Sequence, residues 1–170
     1  LAVATAAAFA LMLVTVPLPG GTTVHVSGVG MIAVLFGVWQ GFLALSLVFL
    51  LQALMFGDGG VTALPVNALA MGMCGSLAAV GIFRLLRRAQ TTVAIFCAGW
   101  VGTVVPAIVV ALVLGAQPHL ASTADGRPLF FPFSWDVTLP AVIIPHLLVG
   151  VADGVLAVMA WRMLGPKGAP

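Results

Sequence analysis

Long apolar runs alternate with short polar breaks along this chain, and the breaks delimit the expected elements. Leu1 to Val16 is apolar until Pro17. At about 1.5 Å per residue it reaches about 24 Å, short of the roughly 30 Å hydrocarbon core. It reads as a chain that starts inside a helix, with its true amino terminus missing. The rival is a signal-peptide core ending near Pro17, disfavoured because no basic region precedes it and the next segment has no soluble character. Gly20 to His25 is a loop punctuated by proline, glycine and threonine. Gly28 to Phe36 is a short apolar helix, and Gly37-Val38-Trp39-Gln40-Gly41 is read as a turn, with Trp39 as an interfacial anchor. The alternative is one continuous, strongly tilted helix.

Phe42 to Phe56 is the next apolar span, and Gly57-Asp58-Gly59-Gly60 the tight loop after it. Leu64 to Leu86 follows, with small residues between 68 and 76 that let helices approach closely. Thr92 to Gly115 is a span that Pro106 is expected to kink. Gln117 to Val137 is the longest polar connection and carries Asp125, Arg127 and Asp136. Thr138 to Leu164 is the last span.

Composition turns this pattern into an environment. Of 170 residues, 62% are hydrophobic and 6% charged, against about 25% charged in a soluble domain. So few charges cannot keep a surface wet. The expectation is a single all-α membrane domain over residues 1–170, because lipid cannot satisfy free backbone amides. A net charge of +2 is too small and too dispersed to suggest nucleic acid, and none is expected as a partner. Arg84, Arg87 and Arg88 mark one cytoplasmic end, and Arg162 and Lys167 another. Counting back from these, the loops around His25, at 57–63 and at 117–137 share the external face. Cys74 and Cys97 lie in apolar runs outside any metal motif and read as packed thiols.

Chemistry is sparse. His25 is the only histidine of the first half; histidine is the commonest metal ligand, but one imidazole cannot hold an ion alone. Asp58 is either a turn aspartate bonded to its own backbone or an acceptor that orients an imidazole. Asn67, just inside a span, needs a polar partner. His146 and Asp153 are seven residues apart, hence on one helix face. An intramembrane carboxylate is a functional hypothesis by default, although Asp153 could simply pair with a polar group on a neighbouring helix or subunit. His119 is read as a solvated loop residue. No phosphate loop, nucleophile triad or carboxylate pair is present, so no ATP hydrolysis is expected of this chain.

VPLPGGTTVHVSG, ALSLVFLLQALMFGDGGVTALPVNALAMG and FFPFSWDVTLPAVIIPHLLVGVADG resemble the CbiM/NikM family, the substrate-binding membrane components of energy-coupling-factor transporters for cobalt or nickel. The likeness runs from Pro17 to Leu86 and from Phe130 to Leu164, and is weak over 92–116. It implies seven helices, six of them here, with the carboxyl terminus inside. It implies an ion held externally by four nitrogens: three from an amino-terminal Met-His (its terminal amine, an amide nitrogen and an imidazole) and one from the PGGT-loop histidine, matched by His25. Such a near-planar set suits Ni(II) or Co(II) over Mg(II) or Ca(II). Thr22, Thr23, Asp58, Asn67 and His146 are the candidate supports around it. Asp153 stands where many relatives carry glutamate. The Met-His start is absent, so three of the four nitrogens are missing and tight binding is not expected of this chain as it stands.

The implied partners are a membrane coupling subunit, a pair of ATP-binding-cassette ATPases, a small accessory membrane subunit and the lipid bilayer. The ion is cargo rather than a resident cofactor. On this likeness the small residues of 68–76 suit a surface that packs against a partner. Two other readings stand beside it: an assembly subunit with no ligand, and a proton-coupled carrier using His146 and Asp153.

Overall fold

The computed structural model describes residues 1–18 and 21–166. Lys167 therefore lies outside the described residues, as do Pro19 and Gly20 of the expected loop. Helix α1 is Ala2–Met12, strands β1 and β2 are Val16–Leu18 and Thr22–Val24, and helices α2 and α3 are Val29–Phe36 and Val38–Met55. Helix α4 is Leu64–Leu86, α5 is Thr91–Leu120 and α6 is Trp135–Leu164. Helices α3 to α6 are each long and apolar enough to cross a membrane. Their outward positions, such as Leu43, Leu47, Leu54, Leu112 and Leu148, stay exposed. This is the surface a lipid solvent requires.

Two loops differ from expectation. The segment before His25 is a two-stranded antiparallel hairpin in which Val16 faces Val24 and Leu18 faces Thr22. Short of helical bonds, a chain entering an apolar bundle pairs its amides across a ladder instead. The expected five-residue turn at 37–41 is a single residue. Gly37 takes φ +105°, a region closed to most side chains, and helix resumes at Val38. The break separates α2 from α3, so no continuous helix forms there.

The last two helices are longer than expected. Helix α5 runs on through Pro118 to Leu120, so His119 sits in a helical last turn and not in a loop. It is exposed, stacks on Trp135 at 5.0 Å and meets Ser134 Oγ at 3.1 Å. The polar connection shrinks to residues 121–134.

Helix α2 occupies the centre. Its eight residues extend only about 12 Å, and Val29 to Ala33 are all buried. It packs on α4, α5 and α6. Glycine permits that approach: a Cβ on Gly30 would lie 2.5 Å from the Gly99 Cα and 2.7 Å from the Ala98 carbonyl oxygen. The small residues of α4 are also used internally. Gly72 abuts Phe42 of α3, and Gly75 abuts Gly102 and Pro106 of α5. Their stripe is thus covered by this chain's own helices and is not a free surface for a partner. Residues 68–75 form a π-helical segment, a rare widening of the helix that recurs at functional sites. Cys74 and Cys97 are free, half-buried thiols.

Candidate metal site

Asp153 fixes the loop that carries His25. Its carboxylate is 1% exposed. Oδ1 accepts the Gly28 amide at 2.7 Å. Oδ2 accepts the Ser27 amide at 3.1 Å, the Ser27 hydroxyl at 3.2 Å and the Thr103 hydroxyl at 2.6 Å. The first amides of α2 have no intrahelical acceptor, and the helix presents partial positive charge there. A carboxylate from α6 holds the two amides just before α2, while the first amide of the helix, that of Val29, donates to the Ser27 hydroxyl at 3.3 Å. Of the two pairings open to Asp153, the one within the chain is found. The anchor lies eighteen residues into α6, about 27 Å along its axis, so the His25 loop dips deep into the bundle. Irregular backbone at such depth is tolerated only when buried in protein, as it is here.

Above that anchor lies a cavity of about 300 Å³. Hairpin residues Thr22 and Thr23, then His25, line one wall. Asp58, Gly59, Gly60 and Asn67 line another, and His146, Thr103 and Phe131 complete it. Every position expected around the site (Thr22, Thr23, Asp58, Asn67 and His146) therefore meets His25 in one chamber. His119 does not. Asp153 stands behind it, joined through Thr103. Gly57, Gly59 and Gly60 all adopt φ near +70°, which lets the Asp58 loop fold over the chamber.

His25 is half-buried, and its fully buried Nδ1 has no hydrogen-bond partner among the described residues. Burial holds its pKa below the ordinary histidine value. The neighbouring His146 pushes the same way, and the Asp58 carboxylate and Val26 backbone oppose more weakly. A neutral imidazole with an unclaimed nitrogen is the form that binds transition metals. Among the described residues no three His, Cys, Asp or Glu side chains converge on one point. Other donors must complete a coordination shell.

Sequence reasoning missed two cavity residues. Gln52 is 3% exposed, and its Nε2 has no partner among the described residues. Thr103 bridges the cavity wall to Asp153. The signal for Gln52 was present: an amide within an apolar span needs a partner, as was argued for Asn67. Thr103 gave none, since a threonine in a helix ordinarily bonds its own backbone, and it does reach the Gly99 oxygen at 3.3 Å as well.

Bundle and chamber define a polytopic helical membrane protein built around a buried, histidine-bearing loop. Its relatives refine this class. The chain belongs to the CbiM family: residues 1–168 match the family described as the cobalt uptake substrate-specific transmembrane region. The fused nickel transport protein NikMN of Rhodobacter capsulatus is 34% identical over 99% of this chain and 53% of its own length. The cobalt transport protein CbiM of Desulforamulus reducens is 31% identical over 96% of this chain and 64% of its own. A crystal structure of a truncated transition metal transporter shares the fold at TM-score 0.92 and 36% identity, over 96% of this chain and 78% of that one. The chain spans about half the length of the fused nickel transport relatives it matches.

Proposed function

We propose that this chain is the ion-capturing membrane component of an importer for Co(II) or Ni(II), with His25 as a ligand in the chamber. The observation that carries the reading is that His25, its pKa held low by burial, lines a roomy cavity together with Asp58, Asn67 and His146. The relatives named for nickel and cobalt transport support the choice of cargo.

On this reading the chamber opens to the external face, with the exposed Arg84, Arg87 and Arg88 on the cytoplasmic side. An amino-terminal Met-His segment supplies the remaining nitrogens. A membrane coupling subunit, ATP-binding-cassette ATPases and a small accessory membrane subunit supply the drive. The role of Asp153 is to hold the loop. With both oxygens committed to four donors, it is poorly disposed to relay protons alongside His146.

The test is uptake of radioactive nickel or cobalt by cells carrying the chain with its upstream coding sequence and its neighbouring transport genes. His25→Ala should abolish accumulation while membrane insertion stays normal. Undiminished uptake by His25→Ala defeats the reading.

A further inference from the structure

We propose that His146 is a second imidazole ligand for the ion in this chamber, alongside His25. The proposal rests on the reading of the cavity as a metal site and deepens it. His146 lies eleven residues into α6, about 16 Å along the helix, and lines the same cavity as His25.

Its ring is fixed for the purpose. Nδ1 lies 2.7 Å from the Val142 carbonyl oxygen. That oxygen can only accept, so Nδ1 carries the proton, and Nε2 of the neutral ring keeps its lone pair. Among the described residues no side chain or backbone group bonds Nε2. Metal-ligating histidines are typically oriented in this way, one nitrogen donating to a carbonyl and the other left bare. A divalent ion shared with two neutral imidazoles satisfies both. The chamber, at about 300 Å³, is many times the space one water needs, so an ion held by both rings has room.

The purified chain in detergent is titrated with Co(II), following its ligand-field absorption, as wild type, His25→Ala and His146→Asn. Asparagine places its amide nitrogen near the Nδ1 position, so the bond to Val142 survives while the Nε2 ligand is lost. The expected result is weakening of at least about ten-fold (1.4 kcal/mol) in His146→Asn with a shifted absorption band, and weakening in His25→Ala too. Wild-type affinity and spectrum in His146→Asn, with loss in His25→Ala, overturn the second ligand and leave the His25 reading intact. Unchanged binding in both variants overturns both. No cobalt spectrum from the wild-type chain at millimolar Co(II) also overturns the second ligand, because two bare imidazoles in one chamber must bind at least weakly.

A second measurement needs no substitution. Ni(II) should protect both His25 and His146 from diethyl pyrocarbonate at the same ion concentration, while exposed His119 reacts throughout. Modification of His146 undiminished by Ni(II) refutes the proposal.

Discussion

The Gly28 amide donates to Asp153 Oδ1 at 2.7 Å, across 125 residues of sequence. One carboxylate in the second half of the last helix thereby sets where the His25 loop ends and where helix α2 begins. Because Oδ2 takes three further donors, neither oxygen is spare. Asp153→Asn should therefore destabilise the chain by about 1–3 kcal/mol, since an amide must aim its own N–H at one set of donors. Thermal unfolding in detergent measures this. A melting temperature equal to wild type would show that the loop is held by something else.

The close crossing of α2 and α5 gives a steric prediction. Alanine at Gly30 would drive its methyl into the Gly99 Cα and Ala98 oxygen, both backbone atoms that cannot step aside. Gly30→Ala should cost about 1–3 kcal/mol or more. Gly81→Ala, in α4 with nothing within 4 Å of the new methyl, should be neutral or gain up to about 1 kcal/mol. The pair measured together separates crowding from a general intolerance of substitution in the bundle.

His25 sets a pH dependence. Burial lowers its folded pKa, so below the unfolded value of about 6.5 the unfolded chain binds more protons than the folded one. This contribution to stability is fully present above that value. It falls as pH drops through it, until His25 is protonated in the folded state as well. Melting temperature against pH should decline on the acid side for wild type. The decline should be shallower for His25→Phe, and identical curves would remove His25 from the account.

Gln52 carries a buried amide nitrogen without a partner. Gln52→Leu removes that group at similar volume, so the metal-free chain should gain about 1–3 kcal/mol. A loss of stability instead would mean that the amide is bonded within the bundle.

The sequence by itself determined the solvent and most of the spans. Ten charged residues in 170 leave no way to face water. The limits of α4 at Leu64 and Leu86 fall where Pro/Gly chemistry and the arginine cluster place them. The candidates Thr22, Thr23, Asp58 and Asn67 were legible because loop glycines and prolines mark turns, and their gathering with His25 followed from counting helices. Short-range geometry was less legible. A hairpin of three-residue strands has too few positions to show alternation, and one glycine at φ +105° looks no different in sequence from a longer turn. Nor does a composition reveal which small residues meet which helix, so the stripe in α4 looked like an outer surface until Phe42, Gly102 and Pro106 were found against it. The job of Asp153 belonged to tertiary structure alone. Its partners Ser27, Gly28 and Thr103 lie 50 to 126 residues away, and local propensity holds no record of contacts made only when three helices cross. The same crossing leaves nitrogens of His25 and Gln52 buried and unpaired, because whether a polar atom finds a partner depends on what the rest of the chain packs around it.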